Sequence, residues 1–233
     1  MVVCIILIVL GAFILAYFLF EKCRKYSLKA TLVKSICSLT FIGLGLYGLL
    51  SKTMNIMGIC FVFALVFGLC GDIFLDFKYV FKEEDRQFTV AGFVVFAIGH
   101  VLYMTGMYTE YYVGDNVLYI IIPLSIGIIA SLINTLLGPK MKLNYGDFKV
   151  MVFVYGALLF SMVLSAGSLL ILHNFQNTTL WMVFIGGVLF ALSDLILSGT
   201  YFGEGKERPV DIITNSVTYY AAQYLIAFSL FFM

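Results

Sequence analysis

Charge is scarce in this chain: Asp, Glu, Lys and Arg together make up 12% of 233 residues, and histidine occurs twice. Three prolines and one tryptophan are present, and none of the five cysteines (Cys4, Cys23, Cys37, Cys60, Cys70) belongs to a C-x-x-C pair. So thin a polar content excludes a soluble globular domain. The cysteine spacing excludes a disulfide framework and a zinc site. His100 and His173 form no His-x-x-x-His, so neither a metal nor another cofactor is expected. A net charge of +1 without a basic stripe excludes nucleic acid as a partner. The basic side chains are instead expected to meet anionic membrane lipids.

What the chain does have is apolar length: 62% of residues are hydrophobic and the mean hydropathy is +1.05. A spanning helix needs about 20 predominantly apolar residues. Stretches of that kind run over 2–20, 30–50, 54–75, 88–108, 117–138, 148–171, 180–199 and 212–232. The expected fold is therefore all-α, a polytopic membrane bundle of about eight transmembrane helices, with residues 1–233 forming a single transmembrane domain. The connections are short, so any chemistry has to be built from the helices. Pro139 and Pro209 fall in connections, while Pro123 lies near the start of the fifth span, where it costs less. The first span has no basic segment before it and no small-x-small cleavage site, and it reads as a retained helix.

Basic residues orient the bundle. Lys22, Arg24, Lys25 and Lys29 follow the first span, Lys78, Lys82 and Arg86 the third, Lys140, Lys142 and Lys149 the fifth, and Lys206 and Arg208 the seventh. Only Lys52 lies on the other side, and Lys34 lies within the second span. The positive-inside rule makes the odd connections cytoplasmic and both termini exterior. The third and seventh helices then run inward in parallel.

Each of those two helices carries an aspartate in otherwise lipid-soluble sequence, Asp72 in FALVFGLCGDIFLDF and Asp194 in FIGGVLFALSDLILSG. A charge at the centre of a membrane helix costs roughly 2.5–3.5 kcal/mol on insertion scales, so such residues face a cavity or a partner and mark function. Both sit toward the cytoplasmic ends, at similar depth, and the two form the expected catalytic pair. Other polar residues cluster at that depth: Asp76, four residues after Asp72; His100 and Tyr103 on the fourth helix; Tyr155 on the sixth; Ser193 on the seventh; Tyr219, Tyr220 and Gln223 on the eighth. Several have plainer readings. Asp76 borders the loop and reads first as a solvated helix end. Lys34 either snorkels to the interface or pairs with an aspartate. His100 has a neighbouring carbonyl as an alternative partner, and Tyr219 reads as an interfacial belt residue.

Taken in order, Gly71-Asp72, then Phe88, Gly92, Phe96, His100 and Tyr103 in the spacing FxxxGFxxFxxxHxxY, then GGVLFALSD (Gly186 to Asp194), then YYAAQ (Tyr219 to Gln223) resemble the YhhN-like lysoplasmalogenase family. The likeness covers nearly the whole chain. It departs where the family often has Lys-Pro in the second helix, since Lys34 is followed here by Ser35. The resemblance implies an eight-helix layout and hydrolysis of the vinyl ether bond of lysoplasmalogen, a lysophospholipid, to a fatty aldehyde and glycerophosphoethanolamine or glycerophosphocholine.

The residues suit that chemistry. Vinyl ethers resist base and yield to acid, because protonating the distal alkene carbon forms a resonance-stabilised oxocarbenium ion. The reaction needs a general acid protonated near neutral pH and a negative charge to stabilise the cation. Two carboxylates in a low-dielectric site supply both, as in glycosidases. Around Asp72 and Asp194, the supporting or substrate-binding set is Lys34, Asp76, His100, Tyr103, Tyr155, Ser193, Tyr220 and Gln223. The site is expected near the cytoplasmic side of a cell or endoplasmic-reticulum membrane, in a chain able to form oligomers. Alternatives are hydrolysis of another lipid ether or ester and a small membrane transporter. An intramembrane aspartyl protease fits less well, because Cys70-Gly71-Asp72 lacks the first glycine of Gly-x-Gly-Asp and the second acid is Ser-Asp instead of Tyr-Asp.

Overall fold

A computed structural model describes residues 2–203 and 208–233, so Lys206 of the charge pattern lies outside the described residues. The described residues form eight α-helices: α1 (Val2–Arg24), α2 (Leu28–Leu50), α3 (Ile56–Val80), α4 (Asp85–Tyr111), α5 (Leu118–Leu137), α6 (Lys149–Leu172), α7 (Thr178–Phe202) and α8 (Pro209–Ser229). Several starts are written locally. Ser27, Asn55 and Asn177 each accept a hydrogen bond from a backbone N–H three residues on, capping α2, α3 and α7. Pro209 opens α8, at a position where its missing N–H has no helical partner to lose.

Packing sets the helices in a closed ring, α2–α3–α4–α6–α7–α8 and back to α2, with α8 also touching α3. Helix α1 lies outside against α2 and α8, and α5 lies outside against α6. Burial agrees: within their most apolar windows only 17% of α1 and 22% of α5 are buried, against 56% of α2. The bundle is apolar outward and polar inward, the reverse of a water-soluble protein. Ile6, Phe13, Leu32, Ile129 and Val150 are exposed, while Ser38, Asp72, His100 and Gln223 are buried.

Seven of the helices are long and apolar enough to cross a membrane. Among the described residues α8 is the exception. At 21 residues it has the length, but Asn215, Ser216, Tyr219, Tyr220 and Gln223 lower its apolar content. Most of these side chains turn inward, Ser216, Tyr219, Tyr220 and Gln223 being buried, so α8 is polar because it lines the interior.

Pro123 lies inside α5 and leaves the carbonyl of Tyr119 without its helical donor. Two side chains make up the loss: Ser168 Oγ donates to Tyr119 O at 2.9 Å and Tyr108 Oη at 3.3 Å. In hydrocarbon a freed carbonyl is tolerated only with such partners.

Candidate functional site

A cavity opens inside the bundle and draws its walls from all eight helices, Lys22 of α1 and Asn134 of α5 included. Asp72 on α3 and Asp194 on α7 both line it. Their helices do not pack on each other, so the two acids approach only across this cavity. Their depths match, since Asp72 lies eight residues before the end of α3 at Val80, and Asp194 eight before the end of α7 at Phe202.

The environment of Asp72 is cationic and rich in donors. Lys34 Nζ stands 3.1 Å from Oδ1, while Ser38 Oγ donates to Oδ2 at 2.8 Å and Tyr219 Oη at 3.0 Å. One turn on, Asp76 accepts from Lys22 Nζ at 2.8 Å and lies 3.5 Å from Lys34 Nζ. Two ammonium groups and two carboxylates thus alternate in one buried array that is neutral as a whole. Pairing of this kind is what makes charge tolerable at membrane depth.

Asp194 is placed differently. Its Oδ2 accepts a hydrogen bond from Tyr155 Oη. Among the described residues no ammonium or guanidinium group lies within ion-pair distance of it. His100 Nε2 lies 3.3 Å from the same Tyr155 hydroxyl, and His100 Nδ1 is buried without a partner. Because Tyr155 donates to Asp194, the tautomer that completes this chain has His100 donating from Nε2 to Tyr155.

A third chain supports Asp72 from behind. Tyr103 Oη donates to Gln223 Oε1 at 3.2 Å, Gln223 Nε2 donates to Tyr219 Oη at 3.0 Å, and Tyr219 donates to Asp72. Tyr220 Oη donates to the carbonyl of Lys34 at 3.1 Å and lies 3.1 Å from Ser38 Oγ, which ties α8 to α2. Phe96 and Phe190 stand between the two chains, with Phe190 edge-on to both His100 (5.0 Å) and Tyr219 (5.4 Å).

Of the residues singled out in the sequence, Lys34, Asp72, Asp76, Tyr155, Ser193, Asp194, Tyr219 and Tyr220 line the cavity. His100 and Gln223 stand one hydrogen bond behind the lining, on Tyr155 and Tyr219, and Tyr103 stands two behind, on Gln223. Ser193 does not reach Asp194. It pairs with Asn215 of α8, its Oγ donating to the Asn215 carbonyl at 3.2 Å and receiving Asn215 Nδ2 at 2.9 Å.

Four plainer readings are corrected. Asp76 is no solvated helix end: α3 runs on to Val80, so Asp76 is 4% exposed and paired with two lysines. Lys34 does not snorkel, since its ammonium is held between Asp72 and Asp76. His100 bonds a tyrosine hydroxyl and not a carbonyl. Tyr219 is buried against Asp72 and does not belong to an interfacial belt. The sequence reading missed Lys22 and Ser38 as site residues. Ser38 had a signal, four residues after Lys34 and so on the same helical face. Lys22 counted only as a topology charge, and nothing local distinguishes it from Arg24 or Lys25.

Greasy surface fills the rest of the cavity, from Leu75, Phe93 and Phe96 to Leu159 and Phe160. Among the described residues no three His, Cys, Asp or Glu side chains are grouped as metal ligands. The arrangement brings to an apolar chamber one carboxylate held by a cation and one carboxyl that has no cation beside it among the described residues. A family model described as the YhhN family matches residues 25–230. No curated protein and no solved structure matches the chain.

Proposed function

The chain belongs to the YhhN family, and from that premise we propose that it is an integral-membrane hydrolase that cleaves the vinyl ether bond of lysoplasmalogen. The observation that carries this reading is the unequal setting of the two acids on one cavity: Lys34 pairs with Asp72, and among the described residues no cation pairs with Asp194.

Asp72, held by Lys34, Ser38 and Tyr219, is the standing negative charge. Asp194 holds the proton, because a carboxyl in an apolar wall with only a tyrosine hydroxyl for company is stable as the neutral acid. With the ether at this level, Asp194 gives its proton to the distal alkene carbon, and the electrons of the double bond form the new C–H bond. The oxocarbenium ion that results faces the Asp72 carboxylate, whose charge stabilises it at close range in a low-dielectric chamber. Water adds to the cationic carbon while the Asp194 carboxylate takes up its proton. The hemiacetal then collapses to a fatty aldehyde and an alcohol on the glycerophospho-headgroup. Tyr155, oriented by His100, holds the Asp194 carboxyl in place. The apolar wall takes the single hydrocarbon chain.

The test is mass spectrometry of purified protein incubated with lysoplasmalogen and, separately, with its acyl-ester analogue. Aldehyde release from the first alone is the expected result. Run in deuterium oxide with rapid trapping of the product, the reaction places one deuterium on the carbon next to the aldehyde and runs more slowly. Cleavage of the ester, or of a saturated alkyl ether that has no alkene to protonate, would overturn the reading. That alkyl-ether lysolipid is expected instead to bind and compete.

A further inference from the structure

Ser198 lies one turn beyond Asp194 on α7, lines the same cavity, and carries a buried hydroxyl oxygen without a hydrogen-bond partner. Thr135, Tyr145 and Thr179 also carry a buried hydroxyl without a partner, but none of the three lines this cavity. Ser35, Thr105 and Thr200 each fold the hydroxyl back onto the carbonyl four residues earlier. Ser198 leaves that bond unmade. A buried hydroxyl without a partner costs free energy, and an apolar cavity wall offers it nothing in exchange. The amide-bearing Asn134 of α5 lines the cavity too.

We propose that Ser198 is the subsite for the free hydroxyl of the substrate's glycerol, the group that distinguishes a single-chain ether lipid from a two-chain one. This rests on the vinyl-ether reading above. Residues four apart on a helix stand about 5–6 Å apart at their Cβ atoms. In the lipid a similar span separates the distal alkene carbon from the hydroxyl on the middle glycerol carbon. A substrate with its alkene at Asp194 therefore brings that hydroxyl to Ser198. The direction agrees as well. Going from Asp194 to Ser198 and on to Phe202 leads toward the end of α7, so alkene, glycerol and headgroup follow one another toward the interface. A site built to bond a substrate hydroxyl rejects an analogue without it, because its own polar group is then left unpaired. Acylation of that hydroxyl removes the donor in the same way.

The experiment compares 1-alkenyl lysolipid with its 2-deoxy counterpart on a propanediol backbone, using wild type, Ser198→Ala and Ser198→Thr. Wild type is expected to prefer the hydroxyl-bearing lipid by roughly five- to tenfold in kcat/KM, the scale of one neutral hydrogen bond. Ser198→Ala should lose that preference, falling on the hydroxyl lipid and staying level on the deoxy one. Ser198→Thr should keep it, and Ser198→Ala, which removes an unpartnered buried hydroxyl, should unfold no earlier than wild type. Equal losses on both lipids, or no loss on either, overturn the subsite. Calorimetric binding of saturated alkyl-ether lysolipids with and without the same hydroxyl runs alongside. If wild type cleaves nothing yet binds the hydroxyl lipid more tightly, and Ser198→Ala erases that difference, the reaction reading falls and the subsite stands. If both alkenyl lipids are cleaved equally by all three proteins, the subsite falls and the reaction stands.

Discussion

Lys34 holds Asp72 at 3.1 Å, while Asp194 has a tyrosine hydroxyl and no cation among the described residues, and this difference separates two otherwise identical substitutions. Asp194→Asn keeps the shape and removes the proton donor. It should insert and unfold like wild type and lose at least about a hundredfold in turnover. Asp72→Asn should lose as much turnover, but it also strips a buried ammonium of its nearer partner and leaves it only Asp76 at 3.5 Å. Breaking a buried pair from one side costs about 3–5 kcal/mol, whereas removing both charges together is often close to neutral. Asp72→Asn should therefore unfold at a lower temperature than Asp194→Asn, and adding Lys34→Met should restore the stability without restoring turnover. Recovery of turnover in that double variant would remove Asp72 from the chemistry. The two aspartate variants combined should be hardly worse than either alone, because losses within one catalytic unit do not add.

At the level of helices, glycine decides how closely the site's walls approach. A methyl group built on Gly186 of α7 would stand 2.8 Å from Ile226 Cγ1 and 3.1 Å from the carbonyl oxygen of Ala222 on α8. Close backbone approach of this kind is how helices associate in lipid, where no hydrophobic force drives them together. Gly186→Ala should push α7 from α8 at a cost of about 1–3 kcal/mol. The melting temperature in detergent should drop by several degrees, and the α7–α8 tie between Ser193 and Asn215 should loosen. At Gly43 the added methyl would meet only Leu7, at 3.8 Å. Gly43→Ala should leave the melting temperature unchanged or raise it, since alanine favours helix over glycine by about 1 kcal/mol. Equal drops for both would mean that α7 and α8 are not packed through Gly186.

For the molecule as a whole, the charge pattern and the ring of helices make one prediction about sidedness. With α8 crossing the membrane alongside the seven more apolar helices, a tag inserted between Phe81 and Glu84, or in the 203–210 connection, should be cytoplasmic. A C-terminal tag should be exterior. A cytoplasmic C-terminal tag would mean that α8 does not cross, and it would undo the orientation drawn from the basic residues. If the tags report that orientation, Asp72 and Asp194, each eight residues short of its helix end, stand in the cytoplasmic half of the bundle. A lysolipid in the inner leaflet has its glycerol near that depth.

The all-helical fold was legible in the sequence alone because lipid leaves a backbone almost no choice: every N–H and C=O must be paired within its own segment, so an apolar run of sufficient length is a helix. The observed helices fall on the expected stretches, and the two aspartates stood out for the same reason, as charge where charge is expensive. Side-chain pairing was not legible. Asp76 read as a helix end because local composition cannot tell that α3 continues past it, nor that Lys22, 54 positions earlier, lies within 2.8 Å. Which acid receives a cation, and that Tyr155 joins His100 to Asp194, depend on α6 standing between α4 and α7 in the ring. That order is set by the packing of helices distant in sequence, where small residues and buried hydrogen bonds decide which neighbours fit. Hydropathy along a single chain carries no record of it.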